Sequence, residues 1–180
     1  ILIGGDGSMN LAVNGIVNFE KTYLGLIPCG SGNDLAKSLG IHGTEIECLH
    51  RILNDQHGKD LDVGVLTYHT RYDEKGNKVS DEPYSRRYNI SSGIGYDAAI
   101  SEQVQRSLWK KVLNALHLGK LIYLFVGARL IFLHHHFKTK IQIDDQSYSY
   151  DKLLFIATMN EPYEGGGFKF CPTANPCDGI

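Results

Sequence analysis

The sequence predicts an α/β fold in its first third and a β-rich continuation. Strand-like and helix-like segments alternate up to about residue 60, which is typical of a parallel sheet with helices packed against it. Beyond that point, runs of alternating apolar and polar residues, beginning at Leu61, indicate antiparallel strands. We therefore expect a three-layer parallel α/β domain over residues 1–60. A sandwich-like second domain with helical insertions is expected over 61–180.

The bulk composition excludes several classes of protein. With 180 residues, 42% of them hydrophobic, the chain can bury a core, and its formal charge of −2 excludes nucleic-acid binding through bulk charge. Four cysteines without a C-x-x-C pair predict reduced, mostly core thiols of a cytosolic protein. No uncharged apolar run reaches the roughly 18 residues of a membrane span.

Both ends of the sequence look truncated. The chain begins inside a strand-like run at Ile1, without an initiator Met, and stops at a turn containing Asp178 and Gly179. We therefore expect it to be a fragment of a longer enzyme.

A glycine-rich turn follows the first strand. Gly4, Gly5 and Gly7 leave backbone N–H groups open to a phosphate, at the mouth of a helix that Ser8 can cap. Asp6 would repel a phosphate there unless it holds Mg²⁺ or accepts a proton from the attacking hydroxyl. The structural alternative is that Asp6 only caps the helix or shapes an Asx turn.

The same strand–turn–helix unit is used a second time. The next strand, residues 23–27, ends at Pro28, and the glycine turn 29–33 precedes a helix from about Asp34. Turns at the carboxyl ends of neighbouring parallel strands lie at one edge of the sheet, where such folds bind ligands. Two facing glycine turns suit a polyphosphate.

The remaining elements follow from periodicity and turn residues. Thr44 and Glu47 have the spacing of a capping box and predict a third helix. The other predicted elements are a hairpin tip at 73–77, helices at 98–108 and 118–134, and strands at 138–143 and 153–158. The segment 116–137 is apolar nearly all round, which favours a core helix over one that touches a bilayer. His134 to His136 fit a solvated helix end better than a metal cluster, because adjacent helical residues point in different directions.

Other nucleotide-binding and hydrolase motifs fit poorly. The chain has no G-x-x-x-x-G-K-[ST], and Asn10 stands where a dinucleotide fingerprint has its third glycine. A G-x-S-x-G elbow and an H-E-x-x-H helix are also absent from the sequence.

The two glycine turns resemble the catalytic domain of the diacylglycerol kinase family, and the bacterial lipid kinases look most similar. Sphingosine and ceramide kinases share the pattern, whereas NAD kinases and phosphofructokinases share only the more distant Gly-Gly-Asp-Gly turn. The residues that carry the resemblance are 4–8, Asn10, Asn14, Gly15, 27–36, 62–64, 93–97, 119–123, Asn160, 165–167 and 172–179.

This resemblance implies transfer of the γ-phosphate of ATP, with Mg²⁺, to a lipid hydroxyl, most readily that of diacylglycerol or a related lipid. It implies that Asp6 is the catalytic acid, and it leaves open whether Asp6 is the general base or the Mg²⁺ partner. The residues expected to bind the nucleotide are Gly4, Gly5, Asp6, Gly7, Ser8, Gly30, Ser31, Gly32 and Asn33.

The resemblance also suggests a lipid side of the site. Asp97, Asn160 and Gly166 are candidates for substrate contact, although an N-cap or a tight loop explains them equally well. Asp178 is a candidate ligand of a structural cation. We expect a cytoplasmic enzyme of phospholipid biosynthesis, peripherally associated with the membrane, and we allow for a homodimer.

Some features depart from the family pattern. Ser8 replaces the usual Thr, Leu11 stands where an acid is common, and the family's C-terminal acidic segment lies outside the chain, so the fragment alone is expected to be inactive. The alternatives are an NAD kinase-like enzyme or a non-catalytic nucleotide- or lipid-binding relative.

Overall fold

A computed structural model describes residues 1–54, 58–73, 77–96 and 136–179. The chain forms two compact units, of which the first comprises Ile1–Ser91 with Met159–Ile180 and the second comprises Ser92–Thr158. The predicted helices at 98–108 and 118–134, and the candidate substrate residue Asp97, lie outside the described residues.

Strands and helices alternate in the first part of the chain, as predicted, and the elements described after residue 54 are all strands. The helices are Asp6–Gly15 (α1), Asp34–Ser38 (α2) and Glu45–Asn54 (α3), with a 3₁₀ turn at Phe19–Lys21. The strands are Leu2–Gly4 (β1), Leu26–Pro28 (β2), Gly64–Tyr68 (β3), Arg71–Tyr72 (β4), Lys78–Ser80 (β5), Tyr84–Tyr88 (β6), Ser91–Gly95 (β7), Phe137–Ile143 (β8), Gln146–Leu153 (β9), Phe155–Met159 (β10), Tyr163–Glu164 (β11) and Phe168–Lys169 (β12).

Strands β1 and β2 are parallel, which confirms the predicted arrangement of the first two strand–turn–helix units. Leu2 pairs with Leu26, and Gly4 pairs with Pro28. Helix α1 packs against β1, and α3 packs against β2. The two strands therefore end side by side, and both glycine turns leave the same edge. The third layer of the predicted domain stays a prediction.

The core of the first unit is built around α1 and α2. Its buried members are Met9, Val13, Leu26, Leu35 and Ala36. Partly buried side chains from residues beyond 60 pack against the same cluster, namely Leu61, Val63 and Ile90. The segment after residue 60 thus shares a core with the α/β segment, while the predicted domain boundary at that residue stays a prediction.

The start of α1 differs from the prediction, whereas the capping box predicted for α3 is present. Helix α1 begins at Asp6 with Gly5 as its N-cap, so the prediction that Ser8 caps it was wrong. In α3 the Thr44 N–H donates to Glu47 Oε2 at 2.7 Å, and the Glu47 N–H donates to Thr44 Oγ1 at 3.3 Å. This is the predicted capping box, and its backbone hydrogen bond holds the pKa of Glu47 below the usual range.

The β-rich part of the first unit contains two antiparallel pairs. Strand β3 pairs with β6. Strands β4 and β5, which lie between β3 and β6 in the sequence, pair with each other. At the predicted hairpin tip, the Asp73 N–H donates to Asn77 O and the Asn77 N–H donates to Asp73 Oδ1, each at 2.8 Å. The described ends of the tip therefore turn as expected.

The second unit contains an antiparallel hairpin of β8 and β9, in which Ile143 pairs with Gln146. The sequence predicted β8 but missed β9, which is exposed along nearly all of its length and whose alternation rests on two tyrosines, Tyr148 and Tyr150, among polar residues. Strand β10 hydrogen-bonds to β7 and covers most of the strand predicted at 153–158. Among the described residues no helix is long and apolar enough to cross a membrane.

Candidate functional site

The two glycine turns touch each other. The Cys29 N–H donates to Gly4 O at 2.9 Å, which extends the β1–β2 pairing into the turns. A Cβ atom placed on Gly5 would lie 2.7 Å from Gly30 Cα, and one placed on Gly30 would lie 2.5 Å from Gly5 Cα. Because atoms without a bond between them do not approach so closely, only glycine fits at either position. The two predicted phosphate-binding turns therefore form one continuous backbone surface.

Asn33 closes the second turn on itself. Its backbone adopts the left-handed conformation, with φ of 54°. Its side chain accepts the Gly30 N–H and donates to Gly30 O, both at 2.8 Å. The Asn33 amide thus shapes the turn, so that its part in a binding pocket is to hold the glycine backbone in place.

Asp6 links the first turn to the helix that follows the second. Its Oδ2 accepts the Asp34 N–H at 3.1 Å and its Oδ1 accepts the Leu35 N–H at 3.2 Å. The first N–H groups of a helix have no partner within that helix, and a carboxylate satisfies them well. The sequence left open that Asp6 caps its own helix, α1. In the structure its carboxylate caps the amino end of α2 instead.

The amino end of α1 is left open. Gly5 makes no side-chain cap, so within the described part of the chain the first N–H groups of α1 have no capping side chain. A Cβ atom on Gly7 would meet nothing within 4 Å, whereas one on Gly4 would lie 2.5 Å from Ser8 Oγ. The open end combines unpaired N–H groups, a favourable helix dipole and a nearby hydroxyl, which is the chemistry that binds a phosphate.

Asp34 was not among the predicted site residues, yet it joins three parts of the site. It is 3% exposed, and its Oδ2 accepts the Gly166 N–H at 2.7 Å. Its Oδ1 lies 3.6 Å from Lys37 Nζ. In the sequence Asp34 belongs to the motif 27–36 that carries the family resemblance, but as an acid in the first turn of a helix it was given no role in the site.

The hydrogen bond to Asp34 brings a distant glycine loop to the second turn. Gly165, Gly166 and Gly167 have φ values of 67°, 85° and 111°, a backbone that residues with a Cβ rarely adopt. A Cβ atom on Gly32 would lie 3.5 Å from Gly166 Cα. Gly166, predicted from its place in a glycine run, therefore lies beside the second turn.

Glu161 is the least expected member of the site. It is 0% exposed, and neither carboxylate oxygen has a hydrogen-bond partner among the described residues. Burial raises the pKa of Glu161 to about 7; the Ser38 hydroxyl lowers this pKa, while the charges of Asp6 and Asp34 raise it. A single Glu in a loop carries no sequence signal, because its burial is decided by segments far away in the chain.

Asn160 ties three backbone segments together. Its Nδ2 donates to Asp62 O at 2.8 Å and to Asn89 O at 3.1 Å, while its backbone N–H donates to Ile90 O at 2.7 Å. Both amide protons are therefore used within the protein. Contact of Asn160 with a substrate stays a prediction.

Asn10 and Asn14, two residues of the sequence motif, hold α1 against β6. Asn14 Nδ2 donates to Arg87 O at 2.9 Å, and the Arg87 N–H donates to Asn14 Oδ1 at 3.0 Å. Asn10 Nδ2 donates to the same carbonyl at 3.1 Å. The Arg87 guanidinium also lies over the ring of Phe19, 4.7 Å from its centroid. These asparagines fix the helix whose open end forms the candidate phosphate site.

The described residues contain no group of three or more His, Cys, Asp or Glu side chains placed to hold a metal ion. Asp178 is exposed, and the N–H of the next residue, Gly179, donates to Asp62 Oδ2 at 2.9 Å. A cation at Asp178 stays a prediction. Of the four cysteine thiols only Cys48 is buried, while Cys29 and Cys177 are exposed, so the expectation of mostly core thiols was wrong.

Two family models match the chain. Residues 1–66 match the diacylglycerol kinase catalytic domain, and residues 90–180 match the YegS C-terminal NAD kinase beta sandwich-like domain. The second match spans half of the chain and agrees with a sandwich-like continuation of the fold. Between them, the two matches include both glycine turns, Glu161 and the Gly165 to Gly167 loop.

Curated proteins that are similar to this chain are named as lipid kinases. The chain is 26% identical over 180 residues to "Putative lipid kinase YtlR" of Bacillus subtilis (strain 168), covering 98% of this chain and 54% of that protein. It is also 26% identical over 179 residues to "Putative lipid kinase SAS0691" of Staphylococcus aureus (strain MSSA476), covering 99% of this chain and 50% of that protein. The chain thus spans about half the length of the curated relatives it matches.

Proposed function

The chain belongs to the diacylglycerol kinase family of lipid kinases, and on that premise we propose that the whole protein transfers the γ-phosphate of ATP to a lipid hydroxyl group. The proposed acceptor is diacylglycerol or a related lipid, and the proposed role is in phospholipid biosynthesis. The observation that carries the proposal is the contact between Gly5 and Gly30, which brings the backbones of the two glycine turns against each other.

The proposed nucleotide site lies across these turns. The phosphates of ATP accept hydrogen bonds from the open amino end of α1, where Gly7 leaves free space and Ser8 adds a hydroxyl group. The second turn contributes backbone shape through Gly30, Ser31, Gly32 and Asn33. A polyphosphate needs such an extended surface, whereas a single phosphate would need only one turn.

Asp6 is the proposed catalytic acid. Each of its carboxylate oxygens accepts one backbone N–H from α2, which fixes the carboxylate and leaves further lone pairs on each oxygen. In the proposed reaction one of these lone pairs accepts the proton of the lipid hydroxyl as its oxygen attacks the γ-phosphorus, and the bond from that phosphorus to the β–γ bridging oxygen breaks, so that ADP leaves. Phosphoryl transfer depends mainly on positioning and on charge stabilisation, and a fixed carboxylate beside the phosphates serves positioning.

Mg²⁺ is proposed as the companion of ATP. The described residues form no preformed metal site, and Mg²⁺ in kinases is commonly bound by substrate phosphates, water and only one or two carboxylates. When bound, the ion would neutralise charge on the phosphates. No step proposed for Asp6 depends on the ion being held by the protein.

The lipid side of the proposal rests on Gly166. Its N–H donates to Asp34 and its Cα lies beside Gly32, so the glycine loop borders the proposed nucleotide site. Asp97 and Asn160 remain proposed substrate contacts. We propose that the whole protein works from the cytoplasm at the membrane surface, where a lipid hydroxyl is accessible. A homodimer is compatible with this arrangement.

The test uses the full-length protein and radiolabelled ATP with diacylglycerol, sphingosine, undecaprenol, phosphatidylglycerol or NAD in turn. Labelled lipid is the expected product, and the acceptor that is labelled identifies the substrate. Labelled NAD would replace the proposal with the NAD kinase alternative. Measurable ATP binding without transfer to any acceptor would leave a non-catalytic relative as the better description.

A further inference from the structure

A fully buried carboxyl group, that of Glu161, lies close enough to Asp6 and Asp34 for their charges to act on it. Glu161 is 0% exposed, and both of its carboxyl oxygens lack a hydrogen-bond partner in the described part of the chain. An ionised carboxylate in such a place is costly, because it has lost water and the neighbouring Ser38 hydroxyl offsets only part of that loss. The usual ways to remove that cost are a proton or a cation.

The charged groups that face Glu161 do not offer a cation. Asp6 on α1 and Asp34 on α2 are both acids, and their charges act on Glu161 in the same direction as burial. Lys37, whose side chain is 38% exposed, is paired with Asp34 instead, with its Nζ 3.6 Å from Asp34 Oδ1. The Ser38 hydroxyl is close to Glu161 but donates its own hydrogen bond to Asp34 O at 3.1 Å. When ionised, Glu161 would add a third negative charge to this group of acids.

Hydrogen bonds hold the backbone on both sides of Glu161. On one side, Asn160 makes three hydrogen bonds to the backbone of Asp62, Asn89 and Ile90. On the other side, the Cys171 N–H donates to Pro162 O at 3.3 Å. The backbone that carries this buried carboxyl group is thus held in place, which favours protonation as the way to remove its charge.

Resting on the proposed nucleotide site, we propose that Glu161 is a positioning residue that supports the phosphate-binding turns in its protonated form. Binding of ATP phosphates then draws a proton from solvent onto its carboxyl group. The phosphates bring several negative charges to the glycine turns, close to the Asp6 carboxylate that Glu161 senses. Added negative charge favours the neutral form of a nearby acid, and by linkage the neutral form favours the added charge. Glu161 acts through Asp6 and Asp34 and touches neither substrate nor cofactor.

The experiment measures the affinity of the full-length protein for a non-hydrolysable ATP analogue between pH 6 and pH 8, in wild type and in Glu161→Gln. The ratio of the two affinities at each pH is the quantity of interest, because titration of the nucleotide phosphates cancels in it. We expect the advantage of the Gln variant to grow roughly tenfold from pH 6 to pH 8, since only the wild type must take up a proton. Glu164→Gln, at a neighbouring acid that accepts a hydrogen bond from Ser91, should follow the wild type at every pH.

Ser38→Ala gives a second measurement if Glu161→Gln does not fold. Ser38 lowers the pKa of Glu161, so its removal should move the midpoint of the pH dependence to higher pH. A constant affinity ratio across the pH range, or an unmoved midpoint in Ser38→Ala, would overturn the proposal while leaving ATP binding intact. Loss of Mg²⁺ binding in nucleotide-free Glu161→Gln would also overturn it, by making Glu161 a cation ligand. Absence of ATP binding by the wild type at every pH would instead contradict the proposed function.

Discussion

The Asp6 carboxylate accepts the backbone N–H of Asp34 at 3.1 Å, so the acid of the first glycine turn closes the helix that follows the second turn. A second hydrogen bond, from the Leu35 N–H at 3.2 Å, makes the link bidentate. Asp6 therefore combines a structural role with its proposed catalytic one, and a substitution at this position tests both.

Asp6→Asn should lower stability as well as activity. An amide has only one oxygen, so either the Asp34 or the Leu35 N–H loses its acceptor, at a cost of about 1–3 kcal/mol of unfolding free energy. Urea unfolding of the full-length protein measures this cost, and transfer of labelled phosphate measures activity. Asp145→Asn, at an exposed position of the β8–β9 turn, should change stability by less than about 0.5 kcal/mol. Equal unfolding midpoints for the two variants would show that the link contributes nothing.

Gly7→Ala should separate nucleotide binding from folding. A methyl group on Gly7 meets no protein atom within 4 Å, so alanine should stabilise α1 by about 0.5–1 kcal/mol. The same methyl group would occupy the space in which a phosphate approaches the helix end, so affinity for the ATP analogue should fall. Gly15→Ala, at the other end of α1 and equally open, is the matched control. Its nucleotide affinity should stay that of the wild type; a parallel loss in both variants would contradict a site at Gly7.

Gly30→Ala should destabilise the first unit. The new Cβ atom would lie 2.5 Å from Gly5 Cα, and backbone cannot move aside as a flexible side chain can. Overpacking of this kind typically costs about 1–3 kcal/mol. Thermal unfolding should show a lower midpoint than for Gly7→Ala, which adds the same methyl group to open space. A midpoint equal to that of Gly7→Ala would mean that the two turns are farther apart than described.

Asn14→Ala should loosen α1 from β6. The substitution removes the acceptor of the Arg87 N–H, and a buried backbone donor left unpaired costs about 1–3 kcal/mol, whereas Arg87 O keeps its hydrogen bond from Asn10 Nδ2. Hydrogen exchange should then increase at the Arg87 amide. In Asn18→Ala, which removes an exposed cap of the 3₁₀ turn, the Arg87 amide should exchange as in the wild type. Unchanged exchange in Asn14→Ala would contradict the hydrogen bond.

Glu161 should make the protein less stable as the pH rises from about 4.5 to 7. Over this range the folded protein keeps a proton on Glu161, whose pKa is raised to about 7, whereas the unfolded chain releases it near its ordinary value. The stability contribution present below pH 4.5 is thus lost by pH 7, and it amounts to roughly 3 kcal/mol. Glu161→Gln should remove this part of the pH dependence, as measured by urea unfolding at pH 5 and pH 8. A slope identical to that of the wild type would show that Glu161 titrates normally.

Local patterns were sufficient for the elements that depend on neighbouring residues. The capping box of Thr44 and Glu47 forms as predicted, because both partners lie within one turn of the same helix. The repeated strand–turn–helix unit led to parallel strands with both turns at one edge. Ser8 was misjudged as a cap because the helix begins two residues earlier, and several residues of such a turn can serve as its start.

By itself the sequence determined that two glycine turns follow two neighbouring parallel strands, and with them the family of the chain. Only the tertiary structure decided what surrounds those turns. The contact of Gly5 with Gly30, the hydrogen bond from Gly166 to Asp34 and the burial of Glu161 all join segments that are far apart in the chain. A helix or a turn is stabilised by residues close in sequence and leaves a periodic or compositional pattern. A buried carboxyl group is defined by whatever packs around it, which no local pattern records.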